Sequence, residues 1–308
     1  MSASNQSNGT TLAPTGLANY TRAAEAACNQ VIASYSTSFG WATRLLGKSV
    51  RQQVKNIYAM VRVADEIVDG AAAEAKAQGG HIDPARALDA YEAAVYQGLE
   101  DSFSTDLVLH AFCRTANECG FGRELIEPFF ASMRADLTEA VHDQASFERY
   151  VYGSAEVVGL MCLAAFIKTS GQQYSREQKL QLAAGARALG SAFQKVNFLR
   201  DLAADFNALG RSYFPSIEVG KFTDADRDRL VGEINNEIAI AAAELPHLPS
   251  NSTRAVNAAL LLFAELNNKI AQTPAAQIAT TRIRVPNARK IVILLQAYFS
   301  TKTGSKHV

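Results

Sequence analysis

The chain has little histidine, little cysteine, no excess of either charge and no long apolar run, and each shortage closes off a class of function. A di-iron carboxylate bundle needs paired Glu-x-x-His motifs on facing helices. The expectation is that none of the five histidines (His81, His110, His142, His247, His307) serves one. The four cysteines, Cys28, Cys113, Cys119 and Cys162, fit neither a disulfide framework nor a zinc site and suit a reducing cytoplasm. Lys plus Arg and Asp plus Glu both number 30, so no basic field exists to gather nucleic acid. No apolar segment is expected to reach transmembrane length, and IVILLQAYF near the C-terminus is about half of one. The polar opening MSASNQSNGTTLAPTG does not resemble an export signal. A glycine-rich dinucleotide fingerprint is absent as well.

What is present is helix. Apolar residues make up 48% of 308, enough for a sizeable core. Gly and Pro fall mostly between periodic segments. The pattern predicts a disordered tail over 1–17 and one all-α domain over 18–308, with no linker and no internal repeat. Helices are expected at 18–33, 36–46, 50–69, 84–98, 104–118, 123–139, 146–169, 176–209, 223–244, 252–273 and 287–299. Gly153 and Gly159 interrupt the apolar stretch 150–169. A helix-interior glycine costs about 1 kcal/mol, which suggests close helix approach or room for a ligand, the alternative being mere tolerance.

Two acidic clusters stand inside such apolar helices. YAMVRVADEIVDG carries Asp65 and Asp69, with Arg62 one turn before, while FQKVNFLRDLAADFNALG carries Asn197, Asp201 and Asp205, extended N-terminally by Gln194 and flanked by Arg200. Residues four apart lie about 40° apart on a helix, so each cluster forms a stripe. Glu66 points about 100° away from Asp65 and is left outside it. Stacked like charges repel, more so when buried, unless water or a cation screens them. Oxygen-only ligands select Mg²⁺, with Mn²⁺ as substitute, over zinc, and Mg²⁺ commonly bridges carboxylates to phosphates. Two such helices facing each other would grip a diphosphate, with Arg62 and Arg200 compensating its charge. A single DxxxD would read as a solvated helix face, but two with matching companions do not.

These segments resemble the squalene/phytoene synthase family of head-to-head prenyl-condensing enzymes. The resemblance runs from Tyr35 to Ala297 and rests on five blocks in order: YSTSFGWATRLL, IYAMVRVADEIVD, YVYGSAEVVGLM, ARALGSAFQKVNFLRDLAADFNALGRSYFP and RVPNARK. It implies an isoprenoid-synthase-type helical bundle around a central cavity. It makes Asp65, Asp69, Asn197, Asp201 and Asp205 metal ligands, and Arg62 and Arg200 diphosphate contacts. Tyr58 and Tyr150 become cavity-lining aromatics, with Ser38, Phe39, Gln194 and Arg284 near the substrate. Glu156 departs from the family pattern, which carries a small residue there, and is expected at the surface or in a salt bridge.

The implied reaction condenses two prenyl diphosphates through a cyclopropyl diphosphate. The wording of DEIVDG and NFLRDLAADF is most like bacterial phytoene synthases, so the expectation is two C20 chains, phytoene as product and no NADPH. The alternatives are C15 substrates giving dehydrosqualene or, with NADPH, squalene; a head-to-tail prenyltransferase or terpene cyclase; and a non-catalytic relative acting as an assembly or lipid-binding factor. Protein partners are unspecified. A cytoplasmic enzyme peripheral to the inner face of the membrane is expected, because a wholly apolar product must reach a bilayer.

Overall fold

The computed structural model describes residues 15–36, 40, 42–139, 141–209, 213–215, 217 and 219–300, with backbone alone at 204–209, 219 and 298–300. The helices are α1 (Gly16–Tyr35), α2 (Lys48–Val68), α3 (Ala71–Ala77), α4 (Pro84–Asp101), α5 (Leu107–Cys119), α6 (Arg123–Thr138), α7 (Gln144–Ser170), α8 (Arg176–Leu209), α9 (Asp224–Glu244), α10 (Thr253–Ala271), α11 (Ala275–Ile278) and α12 (Asn287–Ser300). Local chemistry sets their ends. The Thr15 hydroxyl accepts from the Ala18 N–H and starts α1. The Asp83 carboxylate caps α4, with Pro84 in its first turn where a missing N–H is harmless. Thr223 and Asp226 cap α9 reciprocally. Gly120 ends α5 at φ 75°, a left-handed conformation that glycine adopts freely.

Three expectations need correcting. The helix foreseen at 36–46 is not continuous: Ser36 is extended, Gly40, Ala42 and Thr43 are helical, and 44–46 turn. The tail foreseen over 1–17 gives way to helix at Gly16, and 1–14 lie outside the described residues. Finally, α7 is long and apolar enough to cross a membrane, with a mean hydropathy of 1.6 over its best window. In this fold it is a central helix, and Val157, Met161, Leu163 and Phe166 pack into the core.

Two apolar clusters fill the bundle. One gathers α2 and α4 to α7 around Phe112, Phe129, Phe130 and Met60; the other gathers α7 to α10 around Phe198, Leu199, Ile234 and Ile270. Between them α6, α7 and α8 approach closely. A Cβ on Gly153 would lie 2.1 Å from the Pro128 carbonyl oxygen, and one on Gly159 would lie 2.7 Å from that of Ala186. Both contacts are to backbone, which cannot step aside. Gly153→Ala is therefore expected to destabilise the fold by about 2–3 kcal/mol, measured by urea denaturation. A change under about 0.5 kcal/mol would contradict the packing.

α7 also contains a π turn at Tyr152–Glu156, where the backbone makes one wider loop. π turns are uncommon and cluster at functional sites. Here it lies between Tyr150 and Gly159, beside the cavities described next.

Candidate functional site

Two adjoining cavities lie among α2, α6, α7 and α8. The first has a volume of about 330 Å³ and is bordered by Arg62 and Asp65 from α2, Asp69 at its C-cap, Asp136 from α6, Tyr150 from α7 and Gln194 from α8. The second, about 380 Å³, runs through apolar walls from Tyr58 and Asn197 to Phe166, Leu182 and Leu248. Val61 and Ser154 border both, so the polar cavity adjoins the apolar one at these two side chains. Gly159, Gly185 and Gly190 line the apolar cavity, so the small residues serve both close packing and open space.

The acidic stripe on α2 sits as its periodicity predicts. Burial pushes the Asp65 carboxyl up to about 7, with Asp69 and Glu66 adding to the shift and Arg62 opposing it. Its side chain is 39% exposed, so water and salt screen part of that effect. Arg62 lies 3.9 Å from Asp65, pairs closely with Glu66, and stands 4.5 Å over the Tyr35 ring. Glu66, set aside in the sequence, thus anchors Arg62 and also accepts from the Ala71 N–H.

The stripe on α8 is arranged differently. Arg200 bonds its own neighbour Asp201 at 2.5 Å, and Arg282 reaches the same carboxylate at 2.7 Å. Arg284, the arginine singled out from the sequence, is exposed, and its carbonyl accepts from Lys269. Asn197 borders the apolar cavity, and its Oδ1 is buried with no hydrogen-bond partner; so is the Ser154 Oγ. Asp205 lies on α8 one turn beyond Asp201, its side chain outside the described set, as are Ser38 and Phe39. Glu156 bonds Arg187 at 2.6 Å, in a groove on the other side of α8.

Two further residues, missed in the sequence, complete the polar cavity. The Tyr150 hydroxyl donates to both oxygens of buried Asp136, at 2.8 and 2.9 Å, and the Tyr213 hydroxyl reaches one of them at 3.5 Å. Tyr213 stacks on Phe198 with ring centres 4.1 Å apart. Burial, and after it the charge of Asp136, hold the Tyr150 phenol well above its ordinary range. Tyr150 is therefore a hydrogen-bond donor fixed in place. His142 stacks on the Tyr213 ring at 5.9 Å.

The donor set suits a hard cation on one side of the site. Asp65 and Asp69 offer carboxylate oxygens to the polar cavity, the first is short of countercharge, and the unpartnered Asn197 oxygen lies on α8 at the border of the apolar cavity. Asp201 is satisfied by its two arginines as it stands. Among the described residues no three of His, Cys, Asp and Glu gather into a metal-holding group. Glu139–His142 and Glu244–His247 do have the Glu-x-x-His spacing. Each pair closes on itself near the end of a helix, and no di-iron centre forms among the described residues.

Residues 32–289 match the family model described as squalene/phytoene synthase. A phytoene synthase of Oryza sativa is 30% identical over 90% of this chain and 71% of its own length. One from Solanum lycopersicum is 28% identical over 88% of both chains, and one from Zea mays is 29% identical over 88% of this chain. The chain spans 64% of the length of the maize relative. Among solved structures, a dehydrosqualene synthase superposes with TM-score 0.75 at 20% identity, covering 92% of this chain and 99% of the other. A squalene synthase from Alicyclobacillus acidocaldarius gives TM-score 0.69 at 19% identity, covering 85% and 96%. These superpositions show a shared all-α fold.

Proposed function

The chain belongs to the squalene/phytoene synthase family, and on that footing we propose that it condenses two geranylgeranyl diphosphates head to head to give phytoene. The observation that carries the reading is the junction of a carboxylate- and arginine-bearing cavity with an apolar one at Val61 and Ser154. A prenyl diphosphate has that same division, a charged head on an apolar tail. Identity near 30% to phytoene synthases along most of the chain supports C20 chains over C15.

Asp65 and Asp69, with Asn197 and the α8 carboxylates Asp201 and Asp205, are the residues that would hold Mg²⁺. The ion would supply Lewis-acid stabilisation of the departing diphosphate. Arg62 and Arg200 supply donors shaped for phosphate oxygens. Tyr58, Phe193 and the aliphatic walls exclude water from the allylic cation and present ring faces to it. Tyr150, tied to Asp136 and held protonated, orients its hydroxyl at the polar cavity.

Product identity tests the proposal. Purified enzyme with Mg²⁺ is given C15 or C20 diphosphate, with and without NADPH, and the hydrocarbon is identified. Phytoene from C20, independent of NADPH, is the expected result. Preferential C30 product would overturn the chain length, squalene formed only with NADPH would overturn the non-reductive ending, and a cyclic or head-to-tail product would overturn the reaction class. A second measurement concerns the tail. Ala259 borders the apolar cavity from α10. Ala259→Phe should shift the kcat/KM ratio toward C15 over C20 by at least ~10-fold, since a few methylenes in an apolar pocket carry that much discrimination. An unchanged ratio would mean the tail lies elsewhere.

A further inference from the structure

α12 carries an apolar face where a surface helix ordinarily carries polar residues. Its inner side packs on α10, with Ile293 2% exposed and Ala297 fully buried. On the outer side Ile291, Val292 and Leu295 are 49%, 42% and 52% exposed. The three lie within an arc of about 100°. No other described helix shows three large exposed apolar side chains within five residues. Surface helices of globular proteins keep the outward face polar, and a contiguous apolar patch marks a surface for contact.

Charge identifies the partner. The chain is neutral overall, but its charge is segregated. Residues 245–308 hold eight of the 30 cationic side chains and only Glu265 of the 30 acids, which leaves the first 244 residues with a net charge of −7. Glu265 is itself taken up by Arg289 of α12, in a two-point pair at 3.0 Å. An apolar helical face within a nearly acid-free basic segment is complementary to an anionic bilayer: apolar side chains enter the acyl boundary while cations meet headgroups.

We infer that α12 is a docking surface for bilayers bearing anionic phospholipids. The helix that seats it, α10, also supplies Ala255, Val256 and Ala259 to the wall of the apolar cavity. The inference deepens the proposed reaction, because it brings the site of a hydrocarbon product against a phase that dissolves it. It rests on that reaction only for its purpose, since docking needs no substrate.

Cosedimentation of the full chain with vesicles tests it. The vesicles are phosphatidylcholine alone or phosphatidylcholine with phosphatidylglycerol, at low and high salt, with no diphosphate present. Binding to the anionic vesicles is expected to exceed binding to the neutral ones by at least ~10-fold and to weaken with salt. The triple variant Ile291→Asn, Val292→Asn, Leu295→Asn should lose at least ~10-fold of that binding. It should keep the parent's thermal midpoint and its turnover in detergent, because the three side chains are outside both cavities. Equal binding by parent and variant, or by neutral and anionic vesicles, would overturn the inference. So would a variant that still binds vesicles but converts a dimeric parent to monomer, which would assign the face to a second copy. Lack of prenyltransferase turnover in the parent would refute the proposed reaction and leave the vesicle result standing.

Discussion

Asp65→Asn is expected to cut turnover by at least ~100-fold while leaving the protein as stable at neutral pH as before, or more so. The two effects separate because of the charge around Asp65. The carboxylate is stacked on Asp69, next to Glu66, and partly withdrawn from water, so in the absence of a cation the folded state disfavours its charge. The isosteric amide removes the repulsion and keeps the shape, but it also removes a carboxylate from the cavity proposed to hold the ion and diphosphate. The pH dependence has a definite sign. The carboxyl titrates near 3.8 ordinarily and at about 7 in the fold, so between those values the folded state binds more protons than the unfolded chain. Parent stability in metal-free buffer should therefore fall as pH rises through that window, and the variant should lack this component of the fall. Above pH 7, Mg²⁺ should raise the thermal midpoint of the parent more than that of the variant. Near-normal turnover in Asp65→Asn, or an equal response to Mg²⁺, would sink the role given to Asp65.

The second large effect belongs to a residue with no part in the acidic stripes. Asp136→Ala is expected to destabilise the fold by about 2–5 kcal/mol, from the buried hydroxyls it leaves short of an acceptor. Asp136 is 7% exposed, and its carboxylate accepts the Tyr150 hydroxyl at both oxygens. Removing it takes the acceptor from that phenol and weakens the hold on Tyr213, at about 1–3 kcal/mol for each hydroxyl left unsatisfied. Turnover should fall as well, because Tyr150, Tyr213 and Phe198 pack ring against ring as one wall of the polar cavity. Adding Tyr150→Phe and Tyr213→Phe should recover part of the lost stability, since no hydroxyl then remains to be satisfied. Urea denaturation reads all three proteins. A loss under about 1 kcal/mol for Asp136→Ala would refute the network, and failure of the Phe changes to recover anything would refute its proposed wiring.

The sequence disclosed features that repeat with the helix period and hid those that depend on long-range contact. Asp65 and Asp69 read correctly as one stripe because four residues are about one turn. Helix ends at Asp83, Gly120 and Thr223 follow from local chemistry. Tyr213 and Asp136 are 77 residues apart, and Arg282 and Asp201 are 81 apart, so no local pattern joins them. Arg282 and Arg284 alternate with buried Ile283 and Val285, which gives both the same outward direction and no means of choosing between them. Asp136 did leave a trace. It follows Ile126, Phe129, Phe130 and Met133 on the buried face of α6, where an unpaired acid would be costly. The π turn left none, since a 3.6-residue pattern carries no mark of an extra residue.

Asp201 has one more consequence. With Arg200 and Arg282 already on its carboxylate, Asp201 has more positive charge beside it than its own negative charge needs. On the proposed reading, a cation that took the carboxylate would free two guanidiniums, donors whose fork fits phosphate oxygens. Binding there would be an exchange of partners, in which neither the carboxylate nor the guanidiniums need be left bare. Such a site gives up part of the affinity that an open cluster of like charges would reach. In return its occupied and empty states would differ less in energy, which suits the diphosphate release that the proposed reaction demands.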